Sequence, residues 1–494
     1  LSDTYYDVAV VGSGFAGSLL AMIAKRQGKS VVLIERGKHP RFAMGESSTP
    51  LANLLLETLA IKYDLPGVAA LSKWGTWQES YPEIDCGLKR GFTFYHHEFG
   101  KPAARCAERG DQLLVAASPN DRIADTHWNR ADVDAHFLRQ AQSIGVDYID
   151  EVQLETAAED GSGMHIRGTR HGQPFARRAR FLVDATGPRG FLHRALQLPE
   201  AALPDYPATH ALYSHFRGVR LMDRRDGETP PYPPDDAALH HVFDGGWIWM
   251  LRFKSGIVSA GVAATHIIPL EQGESAWREL LEKLPSVKEQ FADAVTARDF
   301  TYLPRLSFRS AQIAGSHWAQ LPSAAGFVDP LLSTGFPLTM LGVMRLADVL
   351  ERGARPEDLC AFAMITDEEL LATSRLIANL YRNMNNFPVF AATSLLYFAA
   401  ASYAETARRL DKAELASSFL LNNNALFREQ SARAMESGKI EEILHAIEPF
   451  NVAGLGKKER RNWYPALAED LKEAAPKLGA ASEEIEQLLQ RCGF

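Results

Sequence analysis

The chain has 494 residues, more than one ordinary hydrophobic core organises, so two domains or one elaborated domain is expected. With 46% hydrophobic and 23% charged residues the composition is globular, which excludes disordered, collagenous and low-complexity classes. Acidic side chains outnumber basic ones by 61 to 53, a formal charge of -8, and that mild acidity argues against a nucleic-acid groove. Cys86, Cys106, Cys360 and Cys492 form no CxxC pair, so neither a disulfide framework nor a metal site is expected. Leu1–Tyr6 is polar and Val8–Val11 leads into a glycine motif rather than a cleavage site, so no signal peptide and a cytoplasmic location are expected.

In chain order, Tyr5–Val11 reads as a strand, Ser18–Gln27 as a helix ending at Gly28, and Ser30–Glu35 as a second strand. This βαβ unit opens a doubly wound α/β fold. Its first turn is a GxGxxG, Gly12-Ser13-Gly14-Phe15-Ala16-Gly17. Gly12 allows the tight turn, Gly14 lets the backbone approach a pyrophosphate, and Gly17 lets helix and strand pack closely; the helix start at Phe15 and Ala16 then faces the phosphates. Glu35 ends the second strand, where a carboxylate accepts ribose hydroxyls, and Arg36 and Arg41 follow as further binding candidates. Strand, turn, helix and terminal acid together point to an adenine dinucleotide.

Gly91–Tyr95 and Gly246–Ala263 alternate like strands and suggest a second sheet inserted over about 88–130 and 200–310, within a cofactor domain spanning 1–345. Arg180–Ala185 and Ala324–Asp329 lead into glycine turns, as further strands of the first sheet would, and Tyr206–Asp236 reads as a long loop. From Gly342 onward β-branched runs are scarce, so 346–494 is expected to be helical. Phe387–Tyr403 carries no charge over 17 residues, short of the roughly 20 a bilayer span needs, and reads as a buried or interfacial helix. Phe387, Phe390, Tyr397 and Phe398 fall near one side of it, either as a cover over the inserted sheet or as ordinary core.

Pro40-Arg41-Phe42-Ala43-Met44-Gly45-Glu46-Ser47, Val183-Asp184-Ala185-Thr186-Gly187, Gly246-Trp247-Ile248-Trp249 and Gly326-Phe327-Val328-Asp329-Pro330-Leu331-Leu332-Ser333-Thr334-Gly335 stand in that order. The set resembles the flavin-dependent halogenases of the flavoprotein monooxygenase group over roughly the first 350 residues. The resemblance implies an FAD-binding Rossmann-like domain with an inserted β-sheet substrate domain and a helical C-terminal region. It adds Glu46, Ser47, Asp184, Gly187, Asp329 and Gly335 to the cofactor-binding candidates. It further implies a chloride or bromide site at Ser333, Thr334 and Gly335, although the two hydroxyls could equally cap a helix. Lys89, in Lys89-Arg90-Gly91-Phe92-Thr93-Phe94, matches the family's lysine that holds hypohalous acid; the alternative is a solvated strand-end lysine, and Lys73 and Lys62 fit the pattern less well. Trp247 and Trp249 match the tryptophans that separate flavin from substrate, or simply pack one face of a strand.

The segment after Asp184 lacks the Asp-Gly pair of hydroxylases that reduce their own flavin, so reduced FAD is expected from a separate flavin reductase. Leu332 stands where tryptophan halogenases carry glutamate, which disfavours free tryptophan and points to a phenol, pyrrole or indole, free or tethered to a carrier or protein. Arg252 replaces the family's proline after the tryptophans, and this motivates a rival, a halogenase-like monooxygenase that hydroxylates an aromatic small molecule or side chain. A reductase of the isoprenoid type and a flavin-binding scaffold without catalysis are further readings. His96, His97 and His241 are considered as bases for a phenol.

Overall fold

A computed structural model describes residues 5–102, 109–222 and 229–494. Leu1–Thr4, Cys106 and part of the stretch expected as a loop over Tyr206–Asp236 lie outside the described residues.

The first strand, Tyr5–Val11, is buried over its last four residues, as a strand covered on both faces must be. It pairs in parallel with Val31–Ile34 on one side and with the last part of Gln173–Asp184 on the other. The helix Phe15–Arg26 between the first two strands is buried from Phe15 to Ala24, so it is sandwiched rather than surface-lying. Asp147–Ile149 and Trp318–Gln320 extend the parallel part, while the first half of Gln173–Asp184 turns into an antiparallel meander with Gly163–Arg170 and Val152–Asp160.

Among the described residues the inserted sheet has nine strands. Its centre is Thr209–Arg217, Val258–Thr265, Gly246–Arg252 and Ala238–Phe243 in antiparallel order, followed by Gly91–His96 in parallel and Gln112–Ala116. A separate two-stranded ribbon, Cys86–Lys89 with Asp125–Trp128, sits where the chain passes between the two sheets.

Three sequence expectations are corrected. Thr209–Arg217 is a nine-residue strand inside the stretch expected as a loop; prolines and charges crowd both flanks and its polar and apolar residues do not alternate, yet Ala211 and Tyr213 enter the main core and Leu212 and Phe216 the smaller one. Ala324–Asp329 is not a strand of the first sheet. Pro322 starts a helical turn over Pro322–Ala325, and only Gly326–Phe327 is extended, paired with Phe308–Arg309; the sheet's strand there is Trp318–Gln320. The region 346–494 is helical except for Trp463–Tyr464, which adds an edge strand beside Gln112–Ala116, and the helix Gly335–Glu351 runs across position 345.

The long apolar helix spans Phe387–Arg409, 23 residues, and 78% of its most apolar window is buried inside the protein. Its aromatic side meets one strand of the inserted sheet: Phe390 packs on Phe94, Tyr397 and Phe398 on Phe92, and Phe387 on His96.

Candidate functional site

At the end of the first strand, Gly12 has φ 99°, and a Cβ there would sit 2.7 Å from the Ala185 carbonyl oxygen. A Cβ on Gly17 would sit 2.0 Å from the Gly12 oxygen, so both glycines are demanded by geometry. Glu35 lies beside this turn, 6% exposed. Its carboxylate accepts from the Ser13 N–H at 3.0 Å, Ser13 Oγ at 2.9 Å, the Gly37 N–H at 3.0 Å and Arg41 at 3.0 Å. Burial pushes this carboxyl up, but the Arg41 charge and the N–H groups of Gly37 and Ser13 outweigh it and hold the pKa at about 2. Arg36 is exposed.

The sequence reading missed the pair that braces this helix start. Arg130 grips Asp134 with two bonds of 2.9 Å and reaches the carbonyls of Met44 and Gly45 at 2.9 Å each. Asp134 in turn accepts the Phe15 N–H at 3.0 Å, at the positive end of the helix. In sequence the two are only an i,i+4 acid–base pair, indistinguishable from a solvated helix face.

A second helix start lies alongside. Phe336 stacks on Phe15 with ring centroids 5.0 Å apart and planes within 7°. Just before it, Leu332 and Ser333 both adopt left-handed backbone, at φ 63° and 54°. Such a double departure by side-chain-bearing residues is a strained turn of the kind that functional sites hold. Neither hydroxyl of the Ser-Thr pair is spent on the helix: Thr334 occupies the N-cap position without a side-chain cap bond. Gly335 is exposed, and a Cβ there would have no neighbour within 4 Å. Gly187 is likewise open, with φ 86°. These residues fit FAD: a buried carboxylate beside the glycine turn would accept ribose hydroxyls, the turn would admit a pyrophosphate, and a second helix start faces open space rather than protein.

Three candidates from the resemblance have their polar atoms engaged elsewhere. Asp184 ties its own turn, accepting from Thr186 and from the Leu192 N–H. Glu46 crosses to the inserted sheet, where it accepts from Ser259 at 2.6 Å and contacts His215 at 3.0 Å. Asp329 accepts from Tyr206 at 3.0 Å, Tyr381 at 2.9 Å and the Leu331 N–H at 2.9 Å. Burial still raises Asp329 to about 6 against those donors. Trp247 Nε1 donates to the Tyr381 hydroxyl at 3.2 Å, so one tyrosine joins the strained turn to the tryptophan strand.

Lys89 is fully buried, which removes the reading of a solvated strand end. Its ammonium donates to Ser47 Oγ at 2.9 Å and to the Ser48 carbonyl at 2.5 Å, and it lies 3.9 Å from the centre of the Phe92 ring. Asp125 stands opposite it in the two-stranded ribbon. Burial lowers the lysine and raises the aspartate, and each charge opposes the other's shift. From Phe92 an aromatic wall runs through His240, 6.0 Å away, to Trp247 at 5.1 Å and on to Trp249 at 5.7 Å.

Strand alternation sorts the remaining residues. Trp247 and Trp249 face the main core, whereas Ile248 and Met250 face the smaller core of the inserted sheet. Arg252 shares the second face, bonding Asp235 at 2.7 Å and the carbonyls of Val219 and Arg220. The proline-to-arginine change therefore anchors a loop on the side away from the tryptophans. His97 and His241 contact each other at 2.9 Å, and burial lowers both, His97 to about 3, so they stand neutral at physiological pH. His96 is lowered by burial as well and stacks on Phe387.

Comparison with known proteins agrees with this architecture. The family described as FAD dependent oxidoreductase matches residues 7–298. Monodechloroaminopyrrolnitrin halogenase PrnC of Pseudomonas fluorescens is 30% identical over 368 residues, covering 72% of this chain and 63% of that protein, just under two thirds of its length. Tetracycline 7-halogenase of Kitasatospora aureofaciens is 26% identical over 420 residues, covering 81% of this chain and 74% of the relative. The crystal structure of halogenase PltM superposes with a TM-score of 0.78 at 24% identity, over 98% of this chain and 99% of that one, a likeness of fold. Because that family's match covers more than half of the chain, the protein belongs to the FAD-dependent oxidoreductase family.

Proposed function

We propose that the protein is a two-component FAD-dependent halogenase that acts on an electron-rich arene. The observation that carries this reading is Lys89: an ammonium with no exposed surface, held by the Gly45-Glu46-Ser47 segment and walled by aromatics that lead to the tryptophan pair. Relatives named as a PrnC halogenase, a tetracycline halogenase and carrier-protein pyrrole halogenases support it.

Glu35, Arg41, Gly12, Gly14, Phe15, Ala16 and Gly17 would hold the adenosine and pyrophosphate of FAD, and Gly187, Asp329 and Gly335 would border its far end. Bound and reduced, FAD supplies with oxygen the two-electron oxidation of chloride or bromide to hypohalous acid. Ser333, Thr334 and the free N–H groups of the helix at Gly335 form the halide site. Trp247 and Trp249 keep the arene from the flavin, and Lys89 holds the hypohalous acid by hydrogen bonding, polarising its halogen toward the ring. Reduced FAD comes from a separate flavin reductase.

Arg252 gives the hydroxylase rival no support, because it faces away from the tryptophans. A reductase-coupled assay with bromide and a panel of phenols, pyrroles and indoles tests the reading. Products should carry the bromine isotope pattern and vanish without bromide; hydroxylated, halogen-free product at high bromide contradicts it.

A further inference from the structure

Two tyrosines from outside every motif converge on Asp329, the buried acid just before the strained turn at Leu332 and Ser333. Tyr206 precedes the strand Thr209–Arg217, and Tyr381 sits in the last turn of the helix Pro356–Arg382. Both hydroxyls meet one carboxylate oxygen, Oδ2, at 3.0 and 2.9 Å, while Oδ1 accepts the Leu331 N–H. Tyr381 also meets Trp247.

Counting hydrogens fixes the direction of these bonds. Asp329, raised by burial to about 6, is ionised at pH 8 and can only accept. Tyr381 has one hydroxyl hydrogen, and the carboxylate takes it. The tyrosine oxygen is then left as the acceptor for the Trp247 Nε1–H, at 3.2 Å. That bond bears on how the indole lies. Trp247 is buried against His240 and Trp249, with ring centroids 5.1 and 5.7 Å away. Such apolar contacts are non-directional, so an indole turned over in its slot keeps most of them. Its N–H keeps nothing: turned over, the buried donor loses its acceptor, which disfavours that orientation by about tenfold or more.

We propose that Tyr381 is a positioning residue for halogen transfer: held by Asp329, its hydroxyl keeps the Trp247 indole in the orientation that closes the wall between flavin and arene. The assignment rests on the halogenase reading for its chemistry, and it gives the helical C-terminal region a part in that chemistry. Tyr381 acts through Trp247 and touches neither arene nor halide. Tyr206 shares the carboxylate but not the tryptophan, so the two tyrosines separate a brace on the wall from a general effect on Asp329.

The test uses the FAD-loaded enzyme at pH 8 in the reductase-coupled bromide assay with a phenol, the variants being matched for bound FAD. Tyr381→Phe keeps the ring and removes the hydroxyl. The share of halogen-free hydroxylated product should rise by about tenfold or more, as the population of the misplaced indole does. Trp247→Phe should show at least that rise, and Tyr381→Phe added to it should change the share by less than about twofold. Tyr206→Phe, which leaves the Trp247 bond in place, should stay within about twofold of the wild type. A second readout needs no turnover. In oxidised holoenzyme carrying isotopically labelled tryptophan, the Trp247 indole signal is assigned by its loss in Trp247→Phe. Its hydrogen should exchange slowly with solvent in the wild type and at least about tenfold faster in Tyr381→Phe. If the wild type brominates nothing while the indole behaves in this way, the halogenase reading falls and the brace stands. If the hydroxylated share is unchanged in Tyr381→Phe, rises equally in Tyr206→Phe, or rises further in the double variant, the brace is overturned. Should Tyr381→Phe fail to retain FAD, the wild type decides alone: a protected Trp247 indole hydrogen upholds the brace, and a freely exchanging one overturns it.

Discussion

Glu35 and Asp125 are buried to nearly the same degree, 6% and 4% exposed, yet burial wins at one and loses at the other. Glu35 collects a guanidinium, two backbone N–H groups and a hydroxyl, and stays ionised down to about pH 2. Asp125 has one amide donor and a lysine that is itself pushed toward neutrality, and its carboxyl rises. Donor supply, not burial, decides which carboxylate keeps its charge. The glycine-turn end therefore carries a fixed negative charge, whereas at the Lys89 end burial works against both the lysine's and the aspartate's charge.

The Arg130–Asp134 pair at the glycine turn carries the largest stability effect. Asp134→Ala strips Arg130 of its buried partner and the Phe15 N–H of its acceptor, and breaking such a pair costs about 3–5 kcal/mol. Urea denaturation of the apoprotein should show that loss; a change below about 1 kcal/mol would mean the cofactor end is not held by its charges.

A smaller effect is expected from Glu35. Glu35→Gln should weaken FAD binding about tenfold to a hundredfold, as loss of charged hydrogen bonds worth about 1.5–3 kcal/mol would. The acid limb sharpens the point. A carboxyl lowered from 4.5 to about 2 contributes stability that is present above pH 4.5 and is lost as pH falls toward 2. The stability gap between wild type and Glu35→Gln should therefore be widest near neutrality and close across that window. A gap independent of pH would show that Arg41 and the N–H donors do not set the carboxyl.

Arg252→Ala should have the least effect on chemistry. It releases the loop at Asp235, with a stability loss of about 1–2 kcal/mol, and leaves the ratio of brominated to hydroxylated product unchanged. A shift toward hydroxylation would revive the rival reading.

What the sequence makes legible follows from chain locality. Gly12, Gly14, Gly17 and Glu35 lie within one βαβ unit, so type and spacing single them out, whereas Lys89 is singled out only by the family resemblance. The strand Thr209–Arg217 is hidden by the prolines and charges on either side of it. Arg130 with Met44, Asn53 with Asp125, and Tyr381 with Asp329 are separated by 86, 72 and 52 positions, and although Met44 and Asp329 fall inside motifs, nothing in the sequence names their partners. Glu46 was legible as part of a motif, but its attachment to His215 and Ser259 needed the inserted sheet in place.

Lys89 is proposed to govern halogen transfer without taking part in FAD binding. Wild type and Lys89→Ala, matched for bound FAD, are each given reduced flavin, oxygen, bromide and a phenol, and brominated product is counted against oxygen consumed. The account predicts bromophenol from the wild type. It predicts at least a 10^3-fold loss in Lys89→Ala while oxygen is still consumed and released as hydrogen peroxide, a loss of about 4 kcal/mol of transition-state stabilisation. Bromophenol from Lys89→Ala at the wild-type rate would contradict it.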